Sequence, residues 1–156
     1  MIIFLDTGVL GYLCNPNPSK KSQECKKWLY QVMVRGARVV TSEICKYEVK
    51  RSLILVQMKN NSDSEGIKRL EELTNEIEFL PITGEALDIA AEIWAESIIQ
   101  GIPTAVEIDI NVDIIICAQY RVLKRNNPGR YVVIATENVR HLNRFAEAHQ
   151  FNDIKM

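Results

Sequence analysis

The sequence is poor in the residue types that most often announce a function. It has four cysteines (Cys14, Cys25, Cys45 and Cys117), scattered and without a CxxC pair, and two histidines, His141 and His149. Neither set, nor the two together, gives a zinc site of familiar spacing, and free thiols in a reducing cytoplasm are expected. Imidazole-centred catalysis has few candidates. No apolar run approaches the ~18–20 residues that span a bilayer, so no membrane segment is expected. Met1 to Leu5 has no positive charge ahead of its apolar stretch and Asp6 interrupts it, which argues against a secretory signal and for a cytoplasmic protein. Charge of one sign is also missing: 19 basic against 20 acidic side chains leave a net charge of −1. Any binding of nucleic acid must then come from a local basic patch or from metal ions.

What is present is an ordinary globular composition, 47% hydrophobic and 25% charged, which excludes disorder and collagen-like repetition. At 156 residues one domain covering 1–156 is expected, long enough to build a core without staples. There are no repeats, no low-complexity tract and no interdomain linker.

Ile2-Ile3-Phe4-Leu5 is a short, continuously apolar run, the pattern of a strand buried on both faces, and it stops at Asp6-Thr7-Gly8. Asn15-Pro16-Asn17-Pro18 breaks the chain, and Ser19 is placed to cap a helix reaching Arg35 before Gly36. Arg38 to Thr41 reads as a second strand, with Ser42 capping a helix whose apolar face carries Cys45, Val49, Ser52, Leu53 and Val56. A helix from about Ser64 to Glu76 and a short strand at Phe79-Leu80 follow. From Gly84 to Gln100 the periodicity predicts a helix with Leu87, Ala90, Ala91, Trp94 and Ile98 as its buried stripe, closed by Gly101 and Pro103. After the acidic segment Glu107 to Asp113 a helix continues to about Lys124. Tyr131 to Ala135 is the clearest strand. A last helix from about Asn138 and a short strand near Phe151 complete the reading. Strands alternating with helices predict an α/β fold with a mostly parallel sheet covered on both faces, and ligands in such folds bind beyond the carboxyl ends of the strands.

Carboxylates stand where those ends should be. Asp6 follows the first strand, Glu48 lies two turns into the helix after the second, Asp113 is at or near the start of the helix from Ile114, and Glu137 and Asn138 follow the last clear strand. Crowded carboxylates repel unless some are protonated or a cation joins them. Oxygen ligands without His or Cys favour Mg²⁺ or Mn²⁺ over zinc, and such ions suit phosphodiester hydrolysis. Each residue also has a plain structural reading: Asp6 as a helix cap, Glu48 as a solvated helix glutamate, Asp113 as a partner of a helix dipole, and Asp109 as a capping group or a support to the site. Singly, none of them identifies an enzyme.

Together they resemble a family. The apolar run before Asp6-Thr7, the block Thr41-Ser42-Glu43-Ile44-Cys45-Lys46-Tyr47-Glu48, the segment Asp113 to Gln119, and Val132 to Leu142 are similar, in order and approximate spacing over nearly the whole chain, to the PIN-domain ribonucleases. The nearest resemblance is to the small VapC-type toxins of bacterial toxin–antitoxin pairs. It implies a three-layer α/β/α sandwich that binds one or two Mg²⁺ or Mn²⁺ ions and cleaves single-stranded regions of RNA. Carried over by position, Asp6, Glu48 and Asp113 match the three acidic metal-site residues, and Thr136 matches the threonine before the final acidic position. That final position holds Asn138, which offers a carbonyl oxygen and no charge; Glu137 beside it is a candidate substitute. Thr7, Thr136, Asn138 and Arg140 are candidates for substrate binding, and Lys46, Lys50, Arg51 and Arg144 for phosphate contacts. An antitoxin partner and a homodimer are implied in the same way. Trp28, Leu29, Val32, Ile54 and Leu55 are placed either in a partner interface or in the core.

Other classes fit parts of the pattern. Asp6-Thr7-Gly8 after an apolar strand also looks like the aspartic-protease signature, which requires a second such aspartate and an all-β architecture. A non-catalytic module of the same fold fits the missing acid at Asn138. A DNA-directed nuclease fits too, because metal-assisted cleavage does not need a 2′-hydroxyl.

Overall fold

The computed structural model describes residues 1–61, 65–100 and 107–155, the side chains of 107–111 excepted. Its centre is a parallel sheet of five strands, β1 (Ile2–Leu5), β2 (Arg38–Ser42), β3 (Glu78–Leu80), β4 (Val132–Ala135) and β5 (Ala148–His149), in the order β3-β2-β1-β4-β5. Every residue of β1 and β4 is buried. Continuous apolarity therefore reports a strand covered on both sides, as expected for a parallel sheet. Seven helices occur among the described residues: α1 (Thr7–Cys14), α2 (Lys20–Val34), α3 (Glu43–Asn60), α4 (Glu65–Leu73), α5 (Gly84–Ile99), α6 (Glu107–Arg125) and α7 (Val139–Leu142). The chain steps from β1 to β2 to β3 in one direction, then crosses back to β4 and β5. Right-handed crossovers thus put α1 to α4 on one face and α5 to α7 on the other. This is the predicted α/β/α sandwich, and it excludes the all-β architecture of an aspartic protease.

The reversal of direction falls between β1 and β4, the switch point where parallel sheets leave a crevice at their carboxyl ends. Pairing Leu5 with Ala135 brings the next residues, Asp6 and Thr136, side by side at that point. On the other flank Phe4 pairs with Val40, and the buried Thr41 hydroxyl donates to the Leu5 carbonyl at 2.8 Å.

Several expectations need correction. The α5 face turned inward carries Ala86, Ala90, Ile93 and Ser97; of the predicted stripe Ala90 is buried, whereas Leu87, Ala91, Trp94 and Ile98 are exposed. Helix α5 packs against α6. Helix α6 begins at Glu107, so Asp113 sits in its second turn and not at its start, and the side chain of Asp109 lies outside the described residues. Helix α4 ends at Leu73, short of Glu76. The last strand is Ala148–His149, and Phe151 belongs to a 3-10 turn, Phe151–Asp153. Trp28, Leu29 and Val32 are core, whereas Leu55 is half exposed. All four cysteines are free and buried, as expected. Among the described residues no helix is long and apolar enough to cross a membrane.

Candidate functional site

Asp6 has the capping role that its plain structural reading offered. It is the N-cap of α1, with Oδ1 accepting the Val9 N–H at 2.9 Å, and its Oδ2 accepts the hydroxyl proton of Thr136 from the end of β4. Thr136 is fully buried and Asp6 is 8% exposed. Burial pushes the Asp6 carboxyl up from 3.8 to about 6, against the pull of the Thr136 hydroxyl and the Val9 and Gly8 N–H groups, and the nearby Glu137 charge adds to the rise.

The other acids are linked to this one through short polar side chains. Ser42 caps α3 by accepting from the Ile44 N–H at 3.1 Å, and that start turns Glu48, in the second turn, back toward α1. There Glu48 Oε2 accepts from the Thr7 hydroxyl at 2.7 Å, while Oε1 accepts from Arg51 at 3.0 Å. On the opposite side the Asn138 N–H donates to Thr136 Oγ1 at 2.8 Å, and the Asn138 side-chain amide donates to Asp113 Oδ2 at 3.3 Å. His141 Nδ1 stands 3.9 Å from the same Asp113 oxygen. Two hydrogen-bonded sets, Glu48–Thr7 and Asp6–Thr136–Asn138–Asp113, thus meet only at the peptide bond between Asp6 and Thr7, at the carboxyl end of β1.

Of the candidate substrate residues, Thr7 and Thr136 serve the carboxylates directly, and Asn138 and Arg140 are exposed. Lys46 is paired with Glu43 at 3.7 Å and Arg51 with Glu48; Lys50 and Arg144 are exposed. One member of the site had no signal in the sequence. Lys21, in the first turn of α2, forms an ion pair with Glu137, 116 positions away, and its ammonium lies 5.6 Å from the centre of the Tyr12 ring.

The arrangement suits some chemistries and not others. Burial pushes the Cys25, Cys45 and Cys117 thiols up to about 12, so they supply no thiolate at neutral pH. The donor chemistry fits a hard divalent cation: carboxylates without thiolate, one of them buried with no cation on it, and another, Glu137, with a buried Oε1 that has no hydrogen-bond partner among the described residues. The fit is one of donor type and charge. Among the described residues no three His, Cys, Asp or Glu side chains stand together as a ready-made ligand set.

No curated protein sequence matches the chain significantly. Solved structures do match its fold. It is similar to VapBC2 from Rickettsia felis bound to a DNA fragment from their promoter (TM-score 0.64, 15% identity, 96% of this chain and 98% of that one). It is similar to VapBC-1 from nontypeable Haemophilus influenzae (0.65, 21%, 98% and 100%) and to FitAcB from Neisseria gonorrhoeae (0.67, 18%, 97% and 99%). At these identities the likeness is one of fold. The sequence itself matches the PIN domain model over residues 3–119, which takes in Asp6, Glu48 and Asp113, and the chain therefore belongs to the PIN domain family.

Proposed function

We propose that the chain is a metal-dependent endoribonuclease, the toxin of a toxin–antitoxin pair, with Asp6, Glu48 and Asp113 as its metal-binding and catalytic acids. The observation that supports this reading is that Asp6 and Asp113 are joined through Thr136 and Asn138, and Glu48 is bonded to Thr7, the residue after Asp6, in a chain of the PIN family. A divalent ion bound there, Mg²⁺ or Mn²⁺, supplies charge for the phosphate in the transition state and a nucleophile at neutral pH. The protein's own part is placement. Thr136 and the Val9 N–H fix both oxygens of Asp6, Thr7 fixes one oxygen of Glu48, and Asn138 fixes one of Asp113. Exposed Arg140, Lys50 and Arg144 are available to the RNA backbone.

The likeness to the VapBC and FitAB structures supports an antitoxin partner. The exposed apolar stripe of α5 supports a homodimer.

The test is cleavage of single-stranded RNA, and of DNA of the same base sequence, with Mg²⁺, with Mn²⁺ and with chelator. Cleavage of RNA that requires the ion and falls at least ~100-fold in Asp113→Asn, with an unchanged circular dichroism spectrum, is the expected result. Full activity in that variant or in chelator overturns the assignment, and preferential cutting of DNA overturns the substrate. A second reading, a catalytically inactive module that binds RNA or protein, is favoured by the capped state of each carboxylate and the absence of charge at Asn138. Binding of RNA without cutting in any metal would select it.

A further inference from the structure

We propose that the cleft between the end of β3, the start of α5 and the end of α6 is a binding site for a nucleoside, held by its base. The cleft stands at the edge of the sheet with none of the proposed metal-binding acids in its wall, and it is independent of the nuclease reading.

The cavity holds about 380 Å³, within the range of small-molecule sites. Leu80, Pro81, Val122 and Leu123 make its apolar wall, and Gln119 of α6, 4% exposed, is set among them. The Gln119 Nε2 donates to the Pro81 carbonyl at 3.0 Å and to the Leu80 carbonyl at 3.5 Å, which fixes the orientation of the amide. Its Oε1 is buried without a hydrogen-bond partner among the described residues. An acceptor in that state has lost its hydration and gained nothing in return, so a donor belongs beside it.

The rest of the wall narrows what carries that donor. Arg38 is its one charged side chain among the described residues, and the Arg38 Nε and Nη2 are both spent on Glu78 Oε2, at 3.1 and 2.6 Å. A charged ligand would meet no free counter-charge there, so the ligand is neutral. Arg38 Nη1 remains as a donor. Asn127 gives its Nδ2 to the Leu123 carbonyl at 2.8 Å and keeps Oδ1 as an acceptor, and Asn126 brings another amide. Carboxamides and a guanidinium pair well with the edge of a planar heterocycle that carries a donor next to an acceptor. Aliphatic side chains cover the faces of such a ring. A free sugar would turn hydroxyls onto Leu80, Pro81, Val122 and Leu123, and a hydrocarbon chain would leave Gln119 unpaired. A nucleobase meets both demands.

The experiment is calorimetric titration of the full chain, in chelator, with adenosine, guanosine, cytidine and uridine in turn. The expected result is one site per chain for at least one of them, with a Kd raised at least ~10-fold in Gln119→Met and several-fold in Arg38→Met. Val122→Trp, which adds bulk to the wall from a half-buried position, is expected to abolish binding. Asp113→Asn is expected to leave it unchanged. No binding of any of the four at millimolar concentration overturns the inference and leaves water as the partner of Gln119. Binding lost in Asp113→Asn and kept in Val122→Trp overturns it too, by placing the nucleoside in the crevice between β1 and β4. A base within a strand presents the same edge as a free nucleoside. A short single strand of the preferred base that binds more tightly than the nucleoside, and is equally sensitive to Val122→Trp, identifies a strand as the source. A strand that binds no better identifies the free nucleoside. Thermal melts separate a lost contact from a lost fold, and Arg38→Met and Val122→Trp keep the test decisive if Gln119→Met does not fold.

Discussion

At the scale of single residues, Asp6 is where folding and the proposed chemistry make opposite demands. A carboxylate with 8% exposure and no cation in contact is costly to ionise, and its carboxyl is raised from 3.8 to about 6. The sign of the consequence follows from where the proton sits. Below 3.8 both folded and unfolded chains hold it. Between 3.8 and about 6 the unfolded chain has lost it and the folded chain keeps it, so stability falls as pH rises, and above about 6 the loss is complete. At ~1.36 kcal/mol per pH unit, that interval amounts to ~3 kcal/mol. Asp6→Asn in chelator is therefore expected to be more stable than the native chain at pH 7.5, by ~1–3 kcal/mol, with the difference vanishing below pH 4. Urea melts across that pH range test it, and a variant less stable at pH 7.5 would show that the charge is compensated in some other way. Asp6 was legible as a position at a strand end, because a parallel sheet brings such ends together, whereas Glu48 and Asp113 stand within helices and were marked chiefly by the resemblance. The hydroxyls and amides that join them were legible only as candidates, and Lys21 not at all, since nothing local marks a lysine as the partner of a glutamate 116 positions on.

At the scale of elements, what escaped the sequence reading has a common cause: tertiary context chose between local signals of similar strength. Helix α1 is short and carries Gly8 and Gly11, so its periodicity is weak, and its clearest mark is the cap that Asp6 supplies. On α5 two adjacent stripes are apolar. The larger side chains gave the stronger signal, but the fold buries the stripe of mostly smaller ones, Ala86, Ala90 and Ser97 with Ile93. Gly66 is a similar case, a glycine inside a predicted helix with no evident task. A Cβ there would come 2.9 Å from the Cys14 carbonyl oxygen and 2.6 Å from Leu53 Cδ2, so the start of α4 is pressed onto the end of α1. Leu53 can swing aside, but the carbonyl is backbone and can yield only by moving a helix. Gly66→Ala is accordingly expected to destabilise by ~1–3 kcal/mol, despite the ~1 kcal/mol that alanine gains in helix propensity. Gly11→Ala, where nothing lies within 4 Å of the added methyl, is expected to be neutral or stabilising by up to ~1 kcal/mol. Urea midpoints at unchanged slope measure both, and equal effects at the two glycines would refute the packing argument.

At the scale of the whole molecule, strand order follows from alternation and crossover handedness, and with it the crevice between β1 and β4. Association does not follow from those rules, because a chain records which faces are apolar and not which of them the fold has already covered. Among the described residues the cover is known. The described core takes one stripe of α5 and leaves Leu87 (48% exposed), Trp94 (49%) and Ile98 (47%) aligned with Ala91 along the other. A run of large apolar side chains at helical spacing is costly to keep in water, and a tryptophan at its centre is the kind of residue that dominates an interface. If the proposed homodimer uses this face, Trp94→Glu removes an apolar anchor and sets two like charges against each other across the symmetry axis. Its dimer Kd should rise ~30-fold or more, as loss of a ~2 kcal/mol hot spot requires. Folding should survive, because Trp94 is not part of the buried core. Val34→Glu, at an exposed site on α2 and on the opposite face, should leave association unchanged. Sedimentation of the three proteins over a range of concentrations decides the matter. A native dimer unaffected by Trp94→Glu would move the interface to another surface, and a native monomer would leave the stripe to a different partner.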